Sequence, residues 1–356
     1  MLTLIAAALA LALASPGVDE AAEALLDDSG APGAVVALLD DDGVHIGVAG
    51  TRIHRRDAPV EADDLWHMGS NTKAMTATLV ARLVEQGVVR WEMTVGEVLG
   101  SLDLDIHDDL AGADFAALLM HRSGLAANAG PITAIRLGGT DSSRDAAADR
   151  LIYARAVLGS TGGPAGEFLY SNAGYVIAAL MLEQLTGETY ETLMEREVFG
   201  PLRMGSAGWG PPGIRDAADQ PRGHRPGLFG FSAIEPGASA DNPPALNPAG
   251  RAHMTMADLL RFLDIHRRGA AGEETGYLSV ESFERLHRPE GNYAMGWGVR
   301  EDGTLSHSGS NTMWLVTMRI DASRGVAAAA GVNDGRLDTV AGPVSAALNT
   351  VMAEPD

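Results

Sequence analysis

The feature that most constrains the fold is a pair of β-hairpin patterns at opposite ends of the sequence. Near the start, the apolar run Ala34-Val35-Val36-Ala37-Leu38-Leu39 passes through the turn signal Asp41-Asp42-Gly43 into Val44 to Val48. In the last third, Tyr293 to Val299, Thr304 to His307, Met313 to Ile320 and Val326 to Val332 read as strands, with Asp321 to Gly325 turning between the last two. The simplest way to satisfy both ends is one antiparallel sheet shared between them.

Between the two β regions the apolar spacing changes to that of helices, in Ala74 to Val84, Phe115 to Met120, Asn172 to Leu185 and Ala257 to His266. Loops rich in Gly and Pro separate these segments, most obviously Gly208 to Gly250, and no period of 20 to 50 residues points to a solenoid or propeller. A short acidic helical stretch near Asp19 to Leu26 precedes the first hairpin. Leu337 to Met352 reads as a closing helix that Gly342 and Pro343 either interrupt or start. The pattern predicts an α/β (α+β) architecture: a sheet region of about residues 15–65 and 290–356 flanked by terminal helices, and an inserted, mostly helical region of about 66–289. A cleft between the two halves is the default place for a site.

At 356 residues the chain can bury a sizeable core, and its 46% hydrophobic and 21% charged content is that of a folded globular protein. A formal net charge of -21 without any basic stripe opposes binding to nucleic acid or anionic lipid. The absence of cysteine removes disulfides, thiolate metal sites and a cysteine nucleophile. Leu2 to Ala14 is apolar, too short to span a bilayer, and ends in the small-x-small pattern Ala12-Leu13-Ala14, so residues 1–14 read as a signal peptide although no Arg or Lys precedes them. The expected product is a periplasmic or secreted protein of residues 15–356 that keeps no membrane insertion.

All but one of the 26 basic residues are arginine; the exception is Lys73. A desolvated lysine can give up its proton, whereas a guanidinium effectively cannot, which singles Lys73 out as a chemical group. It closes Ser70-Asn71-Thr72-Lys73, directly before the helix through Met75, Leu79 and Leu83. Residues three apart share a helix face, so the Ser70 hydroxyl and the Lys73 amine are expected to be neighbours: a nucleophile and its proton acceptor. A helix N-terminus adds amide groups that stabilise negative charge. The plainer alternative is an N-cap serine followed by a surface lysine, which the otherwise lysine-free composition disfavours.

Two further segments acquire meaning beside this one. Tyr170-Ser171-Asn172 precedes a helix; its phenol becomes a base only with a cationic neighbour, and Asn172 can hold an amine or a carbonyl, whereas alone the tripeptide is an ordinary helix start. His307-Ser308-Gly309-Ser310 ends a strand along which a substrate can lie. Gly309 permits close approach, the Ser310 amide can pair with that of Ser70, and His307 is chargeable near neutral pH.

Taken in order, the chain resembles the serine β-lactamase and penicillin-binding-protein-like superfamily, in the class C-like branch that includes D-Ala-D-Ala carboxypeptidases, D-aminopeptidases and esterases. The resemblance runs from about Gly33 to Gly335 through Leu65 to Lys73, Leu118-Leu119-Met120-His121-Arg122-Ser123-Gly124-Leu125, Phe168 to Tyr175, Phe199-Gly200-Pro201-Leu202-Arg203-Met204 and His307 to Ser310. It implies a β-lactamase/transpeptidase-like fold with Ser70 as the acylated nucleophile and Lys73 and Tyr170 as the general base system, either of which could take the first proton. Asn172 would orient Lys73 and substrate, His307, Ser308, Gly309 and Ser310 would form the substrate-binding strand, and the amides of Ser70 and Ser310 the oxyanion hole. The implied reaction needs no cofactor and no metal, and its partner is a small-molecule or peptide substrate. His307 stands where many β-lactamases carry a lysine, which favours esters and D-amino-acid peptides over efficient β-lactam hydrolysis. An α/β-hydrolase fails on the lack of G-x-S-x-G and on the antiparallel hairpins at the chain ends, and a zinc hydrolase is disfavoured by the lack of H-E-x-x-H and the scattered histidines. The rival from another class is a binding module of this fold that recognises a peptide or cell-wall fragment without turning it over.

Overall fold

The computed structural model describes residues 16–138, 145–227, 230–237 and 240–353; the proposed signal segment 1–14 lies outside them. Its central element is the sheet expected from the two chain ends. Strands β1 (Gly33–Asp40) and β2 (Gly43–Gly50) form the first hairpin; β3 (Gly298–Val299), β4 (Leu305–Ser310), β5 (Leu315–Asp321) and β6 (Val326–Val332) come from the last third. The order is β2-β1-β6-β5-β4-β3, antiparallel throughout, and β1 joins the two ends by pairing with β6 from Ala34 opposite Val332 to Leu39 opposite Ala327.

The apolar run of β1 is continuous rather than alternating because both faces of the strand are covered. Ala34, Val36 and Leu38 join Ala328, Ala330 and Val332 under helices α1 (Pro16–Ser29) and, at the chain's end, Leu337–Val351, through Val18, Ala22, Leu25, Val340, Val344 and Leu348. Val35 and Ala37 join Val316, Met318, Ala327 and Ala329 in the larger core on the opposite side. There the sheet packs on a helix spanning Met256–Ala270, capped by the Thr255 hydroxyl, which accepts from the Asp258 amide at 3.2 Å. The four consecutive alanines Ala327 to Ala330 are fully buried, and their small side chains let both helical layers approach β6.

Several expectations change. Of Tyr293 to Val299 only Gly298–Val299 is a strand of the sheet; Tyr293 makes isolated bridges to Glu290 and Gly298, and Tyr293, Ala294, Met295 and Trp297 are buried around a turn. Gly296 makes that turn at φ +82, and a Cβ on it would lie 2.5 Å from the Ala74 backbone. The closing helix runs through Pro343 without interruption, since burial of Val340, Val344 and Leu348 outweighs the one amide hydrogen bond proline removes. The segment Gly208 to Gly250 is more organised than a loop. Gly208–Trp209 pairs with Ala252–Met254, which also pairs with Trp66–His67; Gly223–Gly227 and Gly230–Ile234 form a hairpin; Asn247–Gly250 is a helical turn.

Candidate active site

Ser70 sits in a tight 3-10 turn, Gly69–Asn71, that leads into α2 (Thr72–Glu85). The turn is tied down from several sides. Asn71 Nδ2 donates to the Val316 carbonyl of β5 at 2.9 Å, the Thr72 hydroxyl donates to the Gly69 carbonyl at 2.7 Å, and the Gly69 amide donates to His67 Nδ1 at 3.2 Å. The other ring nitrogen of His67, Nε2, meets Asp241 Oδ2 at 2.8 Å. Burial works against the Asp241 carboxylate, but His67 and Arg251 outweigh it and hold this acid below its usual range. The Ser70 hydroxyl is engaged by Lys73 Nζ at 3.0 Å and by Tyr170.

Two glycines bring strand β4 against this turn. Gly69 adopts φ +50, and a Cβ there would collide with the Ser310 amide; a Cβ on Gly309 would lie 2.7 Å from the Ser70 amide nitrogen and 2.8 Å from that of Asn71. The amides of Ser70 and Ser310 are thereby neighbours, as an oxyanion hole requires.

Lys73, one helical turn on, is fully buried and touches three acceptors: Ser70 Oγ at 3.0 Å, Asn172 Oδ1 at 2.7 Å and the Ala249 carbonyl at 2.6 Å. Burial pushes its amine well below the usual lysine range. A neutral amine has two hydrogens and one lone pair. The carbonyls of Asn172 and Ala249 can only accept, so they take both hydrogens and leave the lone pair to the Ser70 hydroxyl. Asn172 opens the helix Asn172–Thr186, whose cap, Ser171, accepts from the Gly174 amide at 3.1 Å; its Nδ2 donates to Asn128 Oδ1 at 2.8 Å. The amide is thus held with its oxygen toward Lys73. Ser70, Asn172, Asn242, Leu246, Ala249, Gly250 and Ser310 line a small cleft above these groups.

Tyr170 lies with its ring 4.9 Å from Lys73 Nζ and hydrogen-bonds Ser70. Burial pushes its phenol up to about 12, only partly offset by that bond, so the resting group carries its proton. Below it runs a buried polar chain. The Ser171 amide donates to His121 Nδ1 at 3.0 Å, and His121 Nε2 meets the Tyr293 hydroxyl at 3.2 Å. That hydroxyl in turn meets His307 Nε2 at 3.2 Å. His121 packs against Tyr170 with ring centroids 4.2 Å apart and ring planes tilted by 40°. Burial first, then the charge of Lys73, lowers His121 to about 2 and His307 to about 3.

The expectation that His307 is chargeable near neutral pH is therefore corrected: it is buried and neutral, a hydrogen-bonding strut beneath Tyr170 rather than a cation for substrate. Ser70, Lys73, Tyr170, Asn172, Gly309 and Ser310 do converge, whereas Ser308 points to the other face of β4. The Ala249 carbonyl was not legible, because a backbone acceptor has no residue signature. The sequence pattern places Tyr293 in a strand, and an aromatic residue in a strand carries no sign of a polar role.

A family model described as Beta-lactamase matches residues 18–345. Among characterised proteins the chain is 27% identical over 337 residues to penicillin-binding protein 4 of Amycolatopsis lactamdurans, covering 88% of this chain and 84% of that one. Among solved structures it is similar to D-amino acid amidase from Ochrobactrum anthropi SV3, with TM-score 0.74, 20% identity and coverage of 95% and 97%. It is also similar to a β-lactamase/D-alanine carboxypeptidase from Yersinia pestis, with TM-score 0.72, 18% identity and coverage of 95% and 98%. The family match extends from the first helix to the last and takes in both halves of the sheet, so the chain belongs to the Beta-lactamase family, a family of serine hydrolases.

Proposed function

We propose that this protein hydrolyses esters and amides of D-amino acids through an acyl-enzyme on Ser70. The observation that carries the reading is the hydrogen-bond count at Lys73, whose lone pair has no acceptor-side role except toward the Ser70 hydroxyl 3.0 Å away. Lys73 takes the hydroxyl proton as Oγ attacks the substrate carbonyl, and the oxyanion that forms is met by the Ser70 and Ser310 amides. Tyr170, still protonated, hands its proton to the departing alcohol or amine and recovers it from the Lys73 ammonium. Water then adds to the acyl-enzyme by the same route in reverse, returning Ser70 and releasing the acid.

The substrate class follows from the third motif. A neutral His307 offers no fixed cation on the catalytic face of β4, which weakens the hold on a β-lactam carboxylate and suits neutral acyl groups. Relatives that are named amidases and carboxypeptidases support the D-amino-acid side of this reading. The leader-like residues 1–14 support export, which N-terminal sequencing of the protein from its native host tests by the loss of about that many residues.

The test is intact-protein mass spectrometry after incubation with a fluorophosphonate. One adduct on Ser70, absent from Ser70→Ala, supports the mechanism, and a panel of esters, D-peptides and β-lactams then ranks substrates. No adduct on folded protein would replace the enzyme with a binding module.

A further inference from the structure

The reverse face of β4 borders a second cavity, about 400 Å³, that the chemistry above does not use. Successive residues of a strand point to opposite faces. With His307 and Gly309 turned toward Tyr170 and Ser70, Ser306, Ser308 and Ser310 face away. The register sets Ser306 beside Arg319, Ser308 beside Thr317 and Ser310 beside Leu315 of β5. Leu337, Ala341 and Ser345 of the C-terminal helix form the facing wall, and Arg300 closes the end.

Arg319 is only 4% exposed, yet no carboxylate lines this cavity. Its Nη1 donates to Asn349 Oδ1 and its Nη2 to Ser345 Oγ, each at 2.5 Å, while Nε has no acceptor among the described residues. The charge acting on it among the described residues is the like charge of Arg300, which together with burial lowers its proton affinity. A chain with 47 acidic residues has thus buried Arg319 among neutral hydroxyls, with the exposed Arg300 at the end of the same cavity. A buried guanidinium without a carboxylate partner is unfavourable, and its planar fork is matched by two oxygens of one anion.

We propose that this cavity is an oxyanion-binding site, in which a small carboxylate, phosphate or sulfate group is held by Arg319 and Arg300 against the hydroxyls of Ser306, Ser308 and Thr317. Two sources share that chemistry. A free inorganic anion enters from solvent, or a carboxylate on the substrate reaches round the edge of β4 at Ser310, which borders both cavities.

The test measures thermal unfolding of the full chain in sodium phosphate and sodium sulfate against sodium chloride of equal ionic strength. Wild type is expected to gain about 3 °C when the anion stands near a hundred times its dissociation constant. Arg319→Gln and Arg300→Gln are each expected to lose that gain. Should the buried Arg319 variant fail to fold, Arg300→Gln, at an exposed position, carries the comparison. No gain over chloride, or an equal gain in Arg300→Gln, overturns the site. The readout needs no turnover, so it stands apart from any failure of Ser70 chemistry. Kinetics then assign the source, and either assignment supports the site. Phosphate competing only with carboxylate-bearing esters, with KM for those alone raised about tenfold in Arg300→Gln, identifies the substrate's own tail. Equal effects of phosphate on neutral and anionic esters identify the free anion.

Discussion

Lys73 separates two kinds of charge. Its amine must be neutral to accept the Ser70 proton, and burial already lowers its proton affinity. The labelling rate of Ser70 is therefore expected to rise with pH as the amine deprotonates, then to stay level until the Tyr170 phenol, near 12, loses its proton. A stopped-assay pH profile with a fluorophosphonate checks both limbs. Lys73→Arg keeps the charge and forbids the deprotonation, so a loss of about 10³-fold in acylation is expected, within the usual contribution of a general base. A rate within a factor of three of wild type would reduce Lys73 to an electrostatic neighbour. Tyr170→Phe keeps the ring over Lys73 and removes the proton donor. It is expected to slow amides, whose leaving group must be protonated, more than activated esters such as nitrophenyl acetate, and steady-state kinetics on the two checks this. Lys73 could be picked out from sequence because it is the only lysine. His307 misled, because its charge depends on a burial that no residue pattern announces.

At the scale of elements, the contact between the Ser70 turn and β4 decides whether the two amides meet. A methyl at Gly309 would press on the Ser70 and Asn71 amides at 2.7 and 2.8 Å, so the strand or the turn would have to move. Gly309→Ala is expected to cost about 1–3 kcal/mol of stability in urea unfolding and to depress acylation far more than that loss of folded protein explains. Both hairpins were legible because turn chemistry and apolar runs are local, and Val326–Val332 forms over the very residues expected. The short strands of 208–254 were not, since two- and three-residue pairings leave no period to read. The same segment supplies Ala249, so the least readable part of the chain completes the lysine site.

Across the whole molecule, neutral histidines are folded into the interior. His224 is lowered to about 4, His287 and His307 to about 3 and His121 to about 2, burial being the leading cause for each. In the unfolded chain these rings take up protons near 6.5, before the folded protein can. Their contribution is therefore intact above that pH and is lost as pH falls toward the folded values, by about 1.4 kcal/mol per pH unit for each ring. Approach to the sequence pI of about 4.7 relieves repulsion among the acids and works in the opposite direction, so a single unfolding curve mixes the two. Comparing urea midpoints of wild type and His287→Gln between pH 6.5 and 4 isolates the ring: the variant is expected to lose stability less steeply by one proton's slope. The pairing of β1 with β6 has a last consequence, which concerns time. A ribosome that has made the serine, the lysine and the tyrosine has not yet made the strand that must lie beside β1, nor the one that carries Ser310. Until residues 305–332 are made, therefore, β1 has no partner on that edge and the Ser70 amide stands without that of Ser310 beside it.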